Sequence, residues 1–450
     1  MNTYRKIVRP LLKILFLMGS FGLGHFIHSF STHPPIPSHS SQSENLFSRI
    51  KDESGCNAPC CNPEAPELGR WHKIRESATL TQKQHDQIKA LQTLGYAAGT
   101  FLPPQNTNIT VYEASRCEPG LNLYISGHAP MAILMDMEGK ELHRWSYDIA
   151  QIWPKYKKEI LQSFWRRVHL FENGDLLAIY DGVGLIKLNK KSELLWSYGR
   201  GAHHDLFVTK EGLIYLLTRQ AHILPKYHKT EPILEDFICI LDAQGKELRQ
   251  VSVLKALENS SYAPLLRQIE EAGDIFHTNT LEWVDSRLIS RFPDLKEGQI
   301  LISLLKLNTI AVVDLDLKKV VWALSGLWHR QHQPTVLKQG RILIFDNHGF
   351  YEESRILEFD PLTQEIFWEY RGSPEQPFYS YNCGSCARLP NGNTLITETN
   401  KGRVFELTPS KEIVWEFLNP YRAGLNQDLI AAVLELIRLP SNFPIDWIKN

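Results

Sequence analysis

The chain has 450 residues, with 49 Lys and Arg against 50 Asp and Glu, for a net charge of −1. With no basic excess and no run of like charge, nucleic-acid binding has no electrostatic support. The length would hold two or three average domains, or one large repeat fold with appendages.

Residues 1–30 differ in kind from the rest. Arg5, Lys6, Arg9 and Lys13 precede an uncharged stretch that is strongly apolar from Ile14 to Ile27. A basic region followed by an apolar one predicts an export segment, here an uncleaved signal-anchor helix or, if cleaved, a signal peptide. The basic end would stay inside, tethering the chain to the inner membrane with the remainder in the periplasm. Residues 31–120 read as a tether rich in Ser, Pro and His, with one helix over Thr81–Leu94, Thr81 as its N-cap and Gly95 as its stop, then loop.

Six stretches then share one template, a β-rich run, a small polar turn and a second run. Five end in Trp145, Trp196, Trp322, Trp368 and Trp415, with Val251 in the same place in the third unit. The steps between these positions are 51, 55, 71, 46 and 47 residues. Such a period with strand patterning is the signature of β-propeller blades. Strand–turn–strand pieces with turn glycines Gly174, Gly212, Gly340 and Gly392 lie between the Trp-ended units and supply the other two strands. The fold class is therefore all-β: a six-bladed propeller over 121–420 with short helical extensions. The long third step holds an insertion, helical in pattern over Val253–Ala272, and residues 421–450 carry an apolar helix over Asp428–Leu439. The tryptophans are expected to pack between blades.

Seven cysteines are present; Cys383 and Cys386 form a C-x-x-C at the start of a strand. In an oxidising compartment these two would pair as a disulfide.

Eight residues before each turn glycine stand Arg166, His204, His332 and Gly384. Innermost propeller strands surround the channel, so these positions converge on it, and His277 opens the corresponding segment of the blade with the insertion. Neutral imidazoles serve as nucleophile, base or metal ligand, and an Arg fork suits sulfate, phosphate or carboxylate. These residue types leave more than one chemistry open.

The segments HHDLFVTKEG (203–212), HTNTLEWV (277–284) and QHQPTVLKQGRILIFDN (331–347) resemble the bacterial arylsulfotransferases across the repeat region. That resemblance implies an exported six-bladed propeller that moves a sulfuryl group from an aryl sulfate donor to a phenolic acceptor, with no nucleotide cofactor and no metal. It implies His332 as the nucleophile, transiently sulfated, and His204 (or its neighbour His203) and His277 as ligands of the sulfuryl oxygens that assist proton transfer. One departure stands out: the family's arginine after the His277 segment aligns with Leu305. Arg166, Arg330 or Lys306 would compensate for it. Two other readings remain: a non-catalytic membrane-tethered scaffold, favoured by Leu305, and a metal-dependent hydrolase using His204, His277 and His332.

Overall fold

A computed structural model describes residues 81–92, 97–154, 164–349, 353–424 and 426–449. The expected signal-anchor lies outside the described residues. Among those described, no helix is long and apolar enough to cross a membrane.

Six antiparallel sheets, each of four strands running outward from a channel, form the blades of one propeller. Blade I consists of Trp165–Leu170, Leu176–Tyr180, Gly184–Leu188 and Leu194–Tyr198. Blade II runs Ala202–Val208, Ile214–His222, Ile233–Leu241 and Glu247–Ser252; blade III runs Thr278–Trp283, Ile300–Leu304, Thr309–Asp314 and Lys319–Ser325. Blade IV runs His332–Val336, Ile342–Asp346, Arg355–Phe359 and Ile366–Arg371; blade V runs Ser385–Arg388, Thr394–Glu398, Arg403–Leu407 and Ile413–Leu418. Second strands such as Leu176–Tyr180 are buried along their whole length, because each sheet is covered on both faces by neighbouring blades. Their runs are accordingly apolar without alternation.

Blade VI closes the ring with pieces from both ends of the chain. Gly120–Ser126, Met131–Met135 and Glu141–Ser146 supply three strands, and Val433–Pro440 supplies the innermost one. The apolar helix expected over Asp428–Leu439 is thus a strand. Its sequence, AAVLELIRLP, fits either period, and pairing with Gly120–Ser126, more than 300 residues away, decides the matter. Asn108–Tyr112, in the stretch read as loop, adds a fifth strand outside blade V.

The tryptophans link successive blades through the same contact. Trp145 donates its indole N–H to Gly174 O at 3.0 Å, Trp196 to Ala243 O at 3.1 Å, Trp368 to Pro409 O at 3.1 Å and Trp415 to Met137 O at 3.0 Å. Each acceptor lies in a turn of the next blade, so the same hydrogen bond recurs at four of the six blade junctions.

Two further expectations meet the structure differently. The helix Gln82–Gln92 forms with Thr81 as cap: Thr81 Oγ1 accepts from Gln84 N at 3.2 Å while Gln84 Oε1 accepts from Thr81 N at 2.9 Å. The insertion is not one helix. It is a helix over Val253–Glu258, a 3₁₀ turn over Ala263–Gln268 and a short strand, Gly273–Asp274, parallel to Ile233–Leu234. The run Asn259-Ser260-Ser261 and Pro264 interrupt the helical pattern.

Candidate active site

The first strand of every blade puts one residue at the same height of the channel. Counting from the closing turn through the strand pairing, the equivalent positions are Arg166, His204, Asn279, His332, Gly384 and Leu434. All six line a small cavity of about 10 Å³, room for about one water molecule. Gly384 is the open side of this ring; its φ is +111°, and a Cβ there would lie 2.7 Å from the Phe345 ring.

Strand alternation would send the next residue away from the channel, yet Arg167, Asp205, Gln333 and Ser385 line the same cavity. For Arg167, Asp205 and Gln333 the cause is a register shift at this height, present in blades I, II, III, IV and VI; blade V, which carries Ser385, pairs regularly. Bulges re-aim side chains, and they gather next to active sites. His204 and Gln333 adopt left-handed backbone (φ +50° and +44°), and His277 does so just before its strand (φ +51°). Three non-glycine residues held this way around one cavity mark a site that the surrounding sheet over-determines.

His332 is 3% exposed. Its Nδ1 lies 2.7 Å from Asn347 Oδ1, while Asn347 Nδ2 donates to Ser380 O at 2.8 Å and to Cys383 O at 2.5 Å. Because the amide nitrogen is committed to two carbonyls, Oδ1 must accept, so His332 carries its proton on Nδ1. Its Nε2 is left with the lone pair, and that atom is buried without a hydrogen-bond partner among the described residues. Burial, with neighbouring His277 and Arg166 adding to it, pushes the imidazole down to about 3, so the ring is neutral.

The other imidazoles form a chain. Asp274 Oδ2 binds His277 Nδ1, His277 Nε2 meets His204 Nε2 at 3.0 Å, and His204 Nδ1 meets His203 Nδ1 at 2.8 Å. His203 Nε2 faces Asp236 at 3.5 Å. Burial holds His203 and His204 well below the ordinary range, with Arg219 the next cause for the first and His277 for the second. Burial and the neighbouring Asp274 push Asp236 up to about 7, whereas pairing with His277 outweighs burial and holds Asp274 low.

The sequence-predicted residues thus divide. Arg166, His204 and His332 line the cavity; His277 touches His204 from above; His203 stands behind His204. Lys306 is not among the cavity's lining residues. It borders a neighbouring cleft of about 190 Å³ with Glu270, Glu271 and Asp274. Arg330 stacks on Tyr381, 5.2 Å from the ring centroid, and does not line the cavity either. Leu305 is buried in a short turn; Leu304 pairs with Thr278, so position 305 lies opposite His277.

The expected Cys383–Cys386 disulfide is not formed. Cys386 is carried by its strand into the apolar core with Phe345 and Phe405, where burial raises its thiol. Cys383 precedes the strand in left-handed backbone (φ +56°), its carbonyl receiving Asn347.

Three site residues escaped the sequence. Asn279 was hidden because the insertion loop before Gly298 breaks the eight-residue count. Asn347 stood in the FDN segment without a role. Asp274 closes the insertion, where no pattern marks it. No group of three or more His, Cys, Asp or Glu among the described residues is arranged to hold a metal.

A six-bladed propeller with a neutral, unpaired imidazole nitrogen at the channel centre defines a class capable of nucleophilic group transfer. The arylsulfotransferase (ASST) family profile matches residues 167–420, more than half of the chain, and the chain belongs to that family. No curated protein matches it. Among solved structures it is similar to a protein of unknown function from Bacteroides caccae, at 10% identity and TM-score 0.46, covering 67% of this chain and 94% of that one. It is also similar to virginiamycin B lyase from Staphylococcus aureus, at 12% identity and TM-score 0.39, covering 72% and 88%. A third, apo AztD from Citrobacter koseri, gives 11% identity and TM-score 0.37, covering 72% and 98%.

Proposed function

We propose that this arylsulfotransferase-family chain moves a sulfuryl group from an aryl sulfate to a phenol through a covalent sulfohistidine at Nε2 of His332. The observation that carries the reading is the nitrogen itself: buried, neutral, deprotonated and held in orientation by Asn347. In the first half-reaction the Nε2 lone pair attacks sulfur, an N–S bond forms, and the aryl O–S bond breaks. The departing phenolate takes a proton from the His204–His277 pair. In the second, the acceptor oxygen attacks sulfur, its proton returns to the imidazoles, and the electron pair of the N–S bond returns to Nε2. Arg166 supplies a fork for sulfuryl oxygens, and His204 and Asn279 supply N–H donors where charge shifts in the transition state.

The cavity of about 10 Å³ accepts a sulfuryl group only if its wall opens, and His204, held by His277, is part of that wall. Placement in the periplasm behind an N-terminal anchor is part of the same proposal, since the donor and acceptor would then be met outside the cytoplasm. The test is incubation of the full chain with a chromogenic aryl sulfate and phenol. Wild type should release chromophore and carry sulfate on His332, while His332→Ala should lose at least about 10³-fold in turnover. A wild type that does neither returns the chain to the scaffold reading.

A further inference from the structure

The His204–His277 contact sets a proton count. Two Nε2 atoms 3.0 Å apart hold a single proton between them, because two N–H groups aimed at each other repel. One ring donates and the other accepts. A sulfuryl group carries only acceptor oxygens. For it to sit where these rings meet, both nitrogens must become donors, which takes one more proton than the empty site holds.

Which ring takes it follows from the other nitrogen of each. His204 Nδ1 meets a second neutral imidazole, His203, at 2.8 Å in a setting that is 2% exposed; the Asp181 carboxylate lies 3.9 Å from that nitrogen, beyond hydrogen-bond reach, and is shared with Arg219. His277 Nδ1 faces the carboxylate of Asp274, whose other oxygen accepts the His277 backbone N–H at 2.9 Å. The His277 side chain is 20% exposed, beside the cleft that Asp274 and Lys306 border. A carboxylate partner stabilises an imidazolium, and an imidazole partner in a dry site does not. Across the strand pair from His277 stands Leu305, so no fixed cation serves the sulfuryl group from that side.

We infer that His277, with Asp274 as its counter-ion, takes up one proton when an anionic sulfuryl group enters, and so supplies as an imidazolium the positive charge that Leu305 does not. This rests on the sulfuryl-transfer reading for its substrate class. Asp274 is a positioning residue: it touches no substrate, and it fixes the His277 tautomer and pays for its charge. The groups interacting with His277 are Asp274 and the rings of His203, His204 and His332, with Arg219 beside Asp274. Asp274 is the carboxylate bonded to His277, so it is the group that makes protonation possible. In turnover the added proton is the one delivered to the departing phenolate, and the acceptor phenol restores it.

The test is calorimetric titration of the full chain with inorganic sulfate at one pH in two buffers of different protonation enthalpy. Wild type should take up about one proton per sulfate bound. Asp274→Asn should bind sulfate about tenfold more weakly with uptake near zero, by the linkage between the two equilibria. Leu305→Arg, which restores a fixed cation, should bind sulfate with little uptake and should rescue affinity when combined with Asp274→Asn. Wild-type binding without uptake, no sulfate binding, or uptake unchanged in both variants overturns the inference. Turnover separates it from the reading above. A wild type that takes up the proton and transfers no sulfuryl group defeats the transfer mechanism alone; one that transfers without uptake defeats this inference alone.

Discussion

Two rings of side chains lie one residue apart on the same six strands, and they do opposite things. The upper ring, Arg166, His204, Asn279, His332, Gly384 and Leu434, leaves Nε2 of His332 without a hydrogen-bond partner among the described residues. The lower ring, Arg167, Asp205, Thr280, Gln333, Ser385 and Glu435, ties its charges together. Arg167 binds Asp205 at 2.8 Å and also Glu435, and Gln333 N donates to Thr280 Oγ1 at 3.1 Å. This cross-bracing separates the small site cavity from one of about 230 Å³ farther down, bordered by Arg167, Gln333, Ser385 and Glu435.

The largest effect should come from opening the lower ring. Arg167→Met leaves the Asp205 and Glu435 carboxylates buried without their cation, and removing one partner of a buried ion pair costs about 3–5 kcal/mol. Chemical denaturation should show that loss. If stability is unchanged, the two rings do not differ as stated.

In the upper ring, Asn347→Leu frees His332 to adopt either tautomer. Turnover should fall by roughly 10²-fold or more, as when an orienting group behind a catalytic histidine is lost. Thermal melts should be read alongside, since Ser380 O and Cys383 O lose their shared donor. An Asn347→Leu enzyme with wild-type turnover would mean that the amide does not set the nucleophile.

A smaller effect concerns acid. His203, His204 and His332 are depressed when folded, so the unfolded chain binds more protons below about pH 6.5. Stability from these rings is present above that pH and declines as pH falls from about 6.5 toward the folded values, down to about 3 for His332. Each contributes a slope of up to about 1.4 kcal/mol per pH unit in that window. His332→Gln should flatten the decline between pH 6 and pH 4; an unchanged slope would show that its ring is protonated in the folded state.

The smallest effect lies outside both rings. Trp368→Phe removes the hydrogen bond to Pro409 O at the blade IV–V edge and should cost about 1 kcal/mol with no change in turnover. An activity loss there would tie the outer clamps to the site.

The sequence by itself determined the propeller, because a Trp-ended unit repeated along the chain is a local pattern that each blade satisfies with its own residues. It also determined that Arg166, His204, His332 and Gly384 share one height, since the count from a turn glycine is conserved wherever the intervening strand is uninterrupted. Only the tertiary structure decided the rest. The strand Val433–Pro440 took its form from a partner at the other end of the chain. Bulges turned Arg167, Asp205 and Gln333 inward against alternation, and an insertion carried Asp274 beneath His277. A strand's direction toward the core set Cys386 apart from Cys383. In each case the deciding contact joins residues on different blades or breaks a local period. Neither leaves a mark in the order of amino acids, because the energy that selects it belongs to the closed ring.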